Sequence, residues 1–186
     1  LRALLRQDPD VLMIGEIRDA ETAEIAVEAA LTGHLVLATL HTNDGPSAAT
    51  RLTQMGVEPF LISATLRAVM AQRLVRRLCD ACKHSVTHPD AVLEKYAHLG
   101  LTSGPHYGAE GCPACRGTGY SGRCGVFEVM EINGAMQDHI SSNPSSSELR
   151  KHALEDGMDA LLVDALRRVN AGETTLEEAL RAGGSE

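Results

Sequence analysis

The chain has 186 residues and a formal net charge of −8 at pH 7, and hydrophobic residues make up 44% of it. This length allows one ordinary domain or one and a half small ones, and the acidic charge argues against a general nucleic-acid binder. No stretch approaches the roughly eighteen consecutive apolar residues of a membrane span. Because the chain starts at Leu1 without a methionine or a signal-type segment, we expect it to be part of a longer protein.

The N-terminal part alternates between strand and helix signals. Residues 10–15, which contain the apolar run from Val11 to Ile14, predict a strand, and residues 34–40 predict a second one. Between them, residues 19–32 carry an apolar stripe at helical spacing, with Asp19 as the expected N-cap and Gly33 as the expected C-cap. This alternation predicts an α/β fold in which a parallel sheet is flanked by helices.

The rest of the chain gives weaker signals. Residues 71–78 predict a strand or an extended arm, and residues 119–132 contain a further strand. Residues 83–111 show little periodicity and resemble an insertion folded around a metal. Ser147, directly before Glu148, is the expected start of one C-terminal helix. Helices are predicted over 41–55, 59–68, 134–141, 146–156, 159–171 and 175–182.

These signals divide the chain into four predicted segments. A sheet-and-helix core covers 1–78, an insertion with cysteine pairs covers 79–118, a return strand covers 119–132, and a helical subdomain covers 133–186.

A carboxylate follows the first predicted strand at the point where the strand ends. Glu16 comes directly after Gly15, whose small size allows a ligand to approach closely. In phosphoryl-transfer sites, a carboxylate in this position orients Mg²⁺ or the attacking water. The alternative is that Glu16 only solvates a strand end, and the stretch by itself leaves both interpretations open.

Two histidines bracket the second predicted strand. His34 lies at its start and His41 at its end, seven residues apart. Because this separation is an odd number, the two side chains lie on opposite faces of a regular strand. They should therefore not bind one metal together. His41 projects from the carboxyl end, where parallel α/β sheets place their ligands. It could contact a γ-phosphate or position water, and a purely structural role is the alternative.

Four of the five cysteines fall in two closely spaced pairs, Cys79-x-x-Cys82 and Cys112-x-x-Cys115. Without a secretory signal, paired CxxC motifs indicate a metal rather than disulfides. Four thiolates suit a closed, structural Zn²⁺ site, and the alternative is four reduced cysteines without metal. Cys124 is expected to pack in the strand that follows, although it could substitute as a ligand.

No Gly-Lys pair occurs anywhere in the sequence, so the phosphate-binding pattern GxxxxGK[ST] is absent. The backbone cradle, the phosphate-binding lysine and the Mg²⁺-binding hydroxyl of an ATP site are therefore expected upstream of Leu1.

Long motifs in a fixed order give the sequence a family resemblance. The stretch DPDVLMIGEIRDAETAEIAVEAALTGHLVLATLHTNDG, the segment GVEPFLISATLRAVMAQRLVRRLC, both CxxC pairs, GTGYSGRCGVFEVMEI and the ending AGETTLEEALR resemble the GspE/PilB family of secretion ATPases. The resemblance covers essentially the whole chain. It implies the C-terminal part of a RecA-like P-loop ATPase domain that lacks the Walker A loop, with a tetracysteine zinc insertion and a C-terminal helical subdomain. One unit of the DnaJ-type chaperone zinc domain, CxxCxGxG, also matches at Cys112, but that domain repeats the unit four times.

The same resemblance implies roles for individual residues. Glu16 matches the Walker B acid and His41 the histidine-box residue near the γ-phosphate, with His34 as its companion; Asp8 and Asp10 belong to an aspartate-rich stretch without an individual role. Four arginines match positions near the nucleotide or the subunit interface: Arg2, Arg6, Arg18 and Arg123. The alternative for each is a place on a solvated helix or in a surface ion pair.

For the parent protein, the resemblance implies a hexameric motor. It would hydrolyse ATP with Mg²⁺ to drive type II protein secretion through pseudopilus assembly, or type IV pilus assembly, while the chain alone would be inactive without its P-loop. Implied partners are an inner-membrane platform protein and the cytoplasmic domain of a bitopic inner-membrane protein, with a cytoplasmic location peripheral to the bacterial inner membrane. A different class of function is a zinc-stabilised interaction module without turnover. The sequence does not separate type II secretion from pilus assembly or DNA uptake.

Overall fold

A computed structural model describes residue 7 and residues 9–184 of the chain. They form two compact units. The first takes the chain up to Ala71 and then Val129–Met158, and the second takes Gln72–Glu128 and the chain from Asp159 onward. The predicted helical segment 133–186 is thus divided between the two units. The four predicted segments, with their boundaries at residues 78, 118 and 132, stay a prediction.

The first unit is built on a pair of parallel strands. Strands β1 and β2 pair in register from Val11 opposite Leu35 to Ile14 opposite Ala38, as the strand–helix–strand alternation predicts. Helices cover the buried face, and the predicted α/β class is confirmed. The elements are β1 (Val11–Ile14), α1 (Ala20–Leu31), β2 (Leu35–Ala38), α2 (Gly45–Gln54), α3 (Pro59–Thr65), α5 (Gly134–Ser141) and α6 (Ser146–Glu155).

Helix α1 shows how local sequence sets the packing of this unit. Its N-cap is Asp19, whose Oδ1 accepts a hydrogen bond of 2.8 Å from the backbone N–H of Thr22, as predicted. The helix ends at Leu31 and its C-cap is Thr32 rather than the predicted Gly33, which follows with a φ of +100° that favours glycine. The buried face of α1 consists of Ala23, Ile25, Ala26, Val27 and Ala29.

Two long strands each contain residues of both units. Strands β3 (Ala68–Leu78) and β6 (Tyr120–Glu131) are hydrogen-bonded neighbours. Helix α3 ends at Thr65, three residues earlier than predicted, because Leu66 already adopts an extended conformation. Strand β3 consequently begins before the predicted residue 71, and the Arg67 carbonyl accepts a hydrogen bond of 3.0 Å from Ile132 N–H.

The second unit contains regular structure that the sequence pattern does not reveal. Strands β4 (Lys83–Val86) and β5 (His106–Ala109) form an antiparallel pair, and helix α4 (Asp90–Ala97) lies between them in the chain. The weak periodicity of residues 83–111 gave no sign of these elements. Both strands are short and largely polar, and the paired residues lie 20 to 26 positions apart in the chain. A 3₁₀ turn (Pro113–Cys115), α7 (Leu161–Asn170) and α8 (Leu176–Gly183) complete the unit.

The longest helix in the described part of the chain is α1, with 12 residues. None of the described helices is long and apolar enough to cross a membrane.

Helix α6 begins at Ser146, in agreement with the predicted range 146–156, but Ser147 is not its start. The N-cap is Ser145, and Ser147 lies inside the helix. The hydroxyl of Ser145 accepts a hydrogen bond from Glu148 N–H at 3.3 Å, while the Glu148 carboxylate accepts one from Ser145 N–H at 2.8 Å. This reciprocal capping box requires a glutamate three residues after the cap, and that spacing selects Ser145.

We expect Ser145→Ala to lower the free energy of unfolding by about 1 kcal/mol, because the mutation leaves an orphan N–H at the helix start. Urea unfolding with an unchanged m-value measures this loss. Ser146→Ala is the matched control and should cost clearly less; an equal loss for both variants would contradict the assigned cap.

Candidate functional site

The ends of β1 and β2 are tied together directly beside Glu16. The hydroxyl of Thr39 donates a hydrogen bond to the Gly15 carbonyl, and Ile17 N–H donates to the Thr39 carbonyl at 3.0 Å. The strand before them is anchored because Leu12 and Ile14 are buried. Glu16 is therefore held at the carboxyl edge of the parallel pair, where ligands of such sheets bind.

Three of the residues singled out in the sequence meet at this edge. The Nε2 atom of His41 lies 2.9 Å from Glu16 Oε1. The Nε and Nη2 atoms of Arg18 lie 2.6 Å and 2.5 Å from Glu16 Oε2. The Glu16 side chain is 18% exposed, whereas Arg18 and His41 are 74% and 86% exposed. The carboxylate is thus oriented by two side chains that are themselves open to solvent.

Electrostatics favour the ionised form of Glu16. The hydrogen bond from Arg18 is the largest influence and lowers the pKa of this carboxyl; partial burial opposes the shift, and the charges of Arg18 and His41 add to it. The same hydrogen bond raises the pKa of Arg18. At neutral pH Glu16 is an acceptor that can hold a hydrated cation or orient a water molecule, and it has no proton to donate.

Removing the Arg18 charge should raise the pKa of Glu16. The pKa of Glu16 is lower in the folded protein than in the unfolded chain. The pairing therefore stabilises the folded protein at pH values above the ordinary pKa of glutamate, and this contribution is lost as the pH falls through the lowered pKa. A ¹³C NMR titration of the Glu16 carboxyl should give a higher midpoint in Arg18→Met than in the wild type. Arg51→Met, on the exposed side of α2, is the control and should leave the midpoint unchanged; an equal midpoint in Arg18→Met would show that the contact is absent in solution.

The other predicted nucleotide-site residues lie elsewhere or outside the described residues. The Nδ1 atom of His34 lies 2.9 Å from the Ala29 carbonyl and 3.0 Å from Thr32 Oγ1, so this ring closes the turn before β2, at the opposite end of the strand from His41. Arg123 is exposed on β6 in the second unit. Arg2, Arg6 and Asp8 lie outside the described residues. Asp10 is exposed, and its carbonyl accepts a hydrogen bond from Leu35 N–H.

Sequence reasoning missed the contribution of Thr39. A threonine inside an apolar strand is an ordinary strand residue, and only the parallel register shows that its hydroxyl reaches the Gly15 carbonyl. Asp44 was not singled out in the sequence, where residues 41–55 were predicted only as a helix. It is the N-cap of that helix, and its carboxylate also lies 3.7 Å from Arg150 of α6.

The four cysteines of the two CxxC pairs converge in the second unit. Their Sγ atoms all lie within 4.8 Å of one another. The separations are 3.9 Å for Cys79–Cys112, 3.8 Å for Cys82–Cys115 and 3.7 Å for Cys112–Cys115. Zinc–sulfur bonds of about 2.3 Å in a tetrahedron imply sulfur–sulfur edges of about 3.8 Å. The cluster could hold a metal ion and is compatible with structural zinc.

Backbone N–H groups favour the thiolate form of one cysteine in the cluster. Burial raises the pKa of the Cys115 thiol, but hydrogen bonds to Sγ from Cys112 N–H at 3.1 Å and Gly119 N–H at 3.2 Å, together with neighbouring thiols, outweigh it and lower the pKa to about 6. Burial and hydrogen bonds with the other thiols raise the pKa of Cys82 to about 12. Of these two thiols, Cys115 would therefore lose its proton to a metal more readily than Cys82.

Two glycines allow the loop that carries the second CxxC pair to close on itself. Gly111 has a φ of +111°, and a Cβ there would lie 2.6 Å from the Gly117 carbonyl oxygen; Gly119 has a φ of +77°, and a Cβ there would meet Ala109 at 2.6 Å. Any side chain at either position would force the two ends of this loop apart. Cys124 is half-buried on β6 and is not one of the four converging thiols; burial raises its pKa.

A carboxylate at the edge of parallel strands and a four-cysteine cluster define an α/β protein with a polar strand-end site and a possible metal centre. The model of the family described as "Type II/IV secretion system protein" matches residues 1–181, and the chain belongs to that family.

Curated relatives narrow the kind of protein within this family. The chain is 51% identical over 185 residues to the type IV pilus assembly ATPase PilB of Thermus thermophilus, covering 97% of this chain and 20% of the relative. It is 50% identical over 181 residues to the type II secretion system protein HxcR of Pseudomonas aeruginosa, covering 97% and 35%. The predicted resemblance to secretion ATPases is confirmed. The chain spans about a fifth to a third of the length of these relatives.

Solved structures share the fold. The ATPase DotB of Yersinia pseudotuberculosis superposes with a TM-score of 0.68 at 23% identity, over 98% of this chain and 39% of that one. The pilus retraction motor PilT with bound ADP gives 0.66 at 26% identity, over 99% and 42%. The α/β fold thus resembles those of DotB and PilT.

Proposed function

We propose that the full-length parent protein is a hexameric motor that hydrolyses ATP to drive pseudopilus-based type II secretion or type IV pilus assembly. The family match and the names of the relatives support this assignment. The chain covers only part of their length, so the activity belongs to a longer protein. The observation that carries the proposal is the ionised Glu16 carboxylate held at a strand end by Arg18 and His41.

The residues of this chain fit one half of a Mg²⁺–ATP site. Glu16 has the oxygen ligands and the ionised state that a hydrated Mg²⁺ or an attacking water requires. The chain has no GxxxxGK[ST] loop to hold the phosphates. When bound, Mg²⁺–ATP would supply the phosphoryl group that is transferred and most of the electric charge in the site. Glu16 would orient water, and His41, whose side chain is open to solvent, would contact the phosphate side of the site.

Arg18 would hold the Glu16 carboxylate in position until ligand binds. Because Arg18 is largely exposed, its ion pair can exchange at little cost. Arg2, Arg6 and Arg123, with His34 as a companion to His41, would act near the nucleotide or at the subunit interface. In a ring with heterologous interfaces, arginines of one subunit face the nucleotide of the next.

Neutralising Glu16 in the full-length protein should lower ATP hydrolysis by about 100-fold or more, because a positioned base typically contributes 10²–10⁴ in rate. Steady-state phosphate release by Glu16→Gln measures the loss, and nucleotide binding by fluorescence checks that the site still folds. Glu24→Gln on the exposed side of α1 is the control. Wild-type turnover in Glu16→Gln would refute the assigned role.

A second candidate is a zinc-stabilised interaction module without turnover. The absence of a Gly-Lys pair from the chain favours it for the chain as given. Phosphate release by this chain alone would contradict it and would leave the motor assignment intact.

The cysteine cluster would hold a structural Zn²⁺. All four positions of the tetrahedron are filled by protein, so no site remains for a substrate and no catalysis is expected there. Structural zinc contributes roughly 10–16 kcal/mol of apparent binding free energy in small domains. That contribution would stabilise a segment with little apolar core of its own.

Elemental analysis should find about one zinc ion per chain. Cys115→Ser should lose the metal and lower the thermal midpoint, because a serine hydroxyl does not replace a thiolate ligand. Cys124→Ser is the matched control and should keep both the zinc and the midpoint. Zinc retained in full by Cys115→Ser would contradict the assigned ligand set.

The partners follow from the same family assignment. The motor would act with an inner-membrane platform protein and the cytoplasmic domain of a bitopic inner-membrane protein, at the cytoplasmic side of the bacterial inner membrane. The acidic net charge gives no reason to expect a nucleic-acid partner.

A further inference from the structure

The segment that leads into α8 is fastened to the end of β3. The Glu173 carbonyl accepts a hydrogen bond of 2.8 Å from Leu78 N–H. The hydroxyl of Thr174, which is fully buried, donates one of 2.8 Å to the Arg76 carbonyl. Leu78 is also the residue directly before the first metal-site cysteine, so the start of α8 and the cysteine cluster are held by the same three residues of strand.

A buried carboxylate fixes the first turn of α8. Glu178 is 1% exposed, and its oxygens accept hydrogen bonds from Arg76 N–H at 2.9 Å, from Arg76 Nη2 at 2.8 Å and from Arg181 Nη2 at 2.6 Å. The hydrogen bonds from Arg76 and the charges of both arginines outweigh the effect of burial, which acts in the opposite direction, and lower the pKa of this carboxyl. A carboxylate this deep in the protein is stable only while its donors stay in place.

Tyr120 connects this carboxylate network to the cysteine cluster. The guanidinium of Arg76 lies over the Tyr120 ring, 4.0 Å from its centroid. The phenol oxygen of Tyr120 lies 3.1 Å from the Thr175 hydroxyl, and Thr175 is the N-cap of α8. One side chain therefore contacts both the arginine that holds Glu178 and the residue that caps the helix.

The residue before Tyr120 belongs to the immediate surroundings of the cluster. Gly119 N–H donates to Cys115 Sγ at 3.2 Å, and the Gly119 carbonyl accepts a hydrogen bond of 2.9 Å from Cys79 N–H. Gly119 thus joins one cysteine of each CxxC pair. Any change that separates the two pairs moves the backbone to which Tyr120 is attached.

From these contacts we infer that metal binding at the four cysteines positions helix α8, with Tyr120 as the positioning residue between them. The inference rests on the proposed metal site. A metal would join the two CxxC pairs and fix the backbone at Gly119. The ring of Tyr120, the next residue, would then be held under Arg76. Without the metal, the Cys79–Gly119 hydrogen bond and the pairing of β3 with β6 still join the two strands. The second CxxC loop is then held less firmly, so the Tyr120 ring, its contact with Arg76 and the donors of Glu178 are less fixed. Helix α8 then opens locally more often.

Hydrogen–deuterium exchange of the full-length protein tests this inference. After zinc is removed with a chelator, the amides of Glu178 and Ala179, which donate hydrogen bonds to Thr175, should exchange about tenfold faster. This factor corresponds to the loss of about one hydrogen bond of local stability. The amides of α6, in the first unit, should be unchanged. Adding zinc back should restore the slow exchange.

Variants separate the role of Tyr120 from a general loss of stability. Tyr120→Leu should make α8 exchange quickly even with zinc bound, with the zinc content by elemental analysis unchanged. Tyr120→Phe keeps the ring under Arg76 and loses only the contact with Thr175, so its exchange rate should lie between those of the wild type and Tyr120→Leu. Tyr96→Leu on α4 is the control and should keep the zinc dependence of α8.

Three results would overturn the inference. If zinc binds and α8 exchanges equally with and without it, the metal site stands and the coupling is wrong. If Tyr120→Leu leaves α8 slow, the connection does not run through Tyr120. If the protein binds no zinc, both the metal assignment and the coupling fall, while the role of Glu16 is unaffected.

Discussion

The parallel pairing of β1 with β2 is the constraint on which the first unit depends. The register puts Gly15 beside Thr39, and the hydrogen bonds between them hold the two strand ends together. A slip by one residue would turn Leu12 and Ile14 towards solvent and move Glu16 away from His41. The apolar core and the polar edge are therefore specified together, because both follow from the same alternation of side chains.

The second unit relies on a different kind of constraint. Its strands β4 and β5 are short and polar, and α4 has no buried residue. Such segments bury too little apolar surface to offset the conformational entropy lost on folding. With a metal bound as proposed, the converging cysteines and the hydrogen bonds around them would hold this part of the chain where a core would otherwise be needed.

Local signals in the sequence predicted local structure well and distant contacts poorly. Asp19 as a helix cap and the paired cysteines as one cluster follow from spacing alone. The pairing of β4 with β5 could not be predicted, because neither strand has an apolar pattern and the partners are far apart in the chain. Arg18 was predicted near the nucleotide or an interface, but its contact with Glu16 depends on the backbone turn after β1.

Two arginine–glutamate pairs in this chain differ in how far the surroundings of the carboxylate are open to water. Glu16 is held by side chains that are mostly in solvent, so its contacts can be exchanged for a ligand without leaving a charge stranded. Glu178 is 1% exposed, and the same exchange there would leave a buried carboxylate without its donors. The same two residue types therefore form an exchangeable contact at the strand edge and a fixed contact between α8 and β3, and the difference lies in access to water rather than in chemistry.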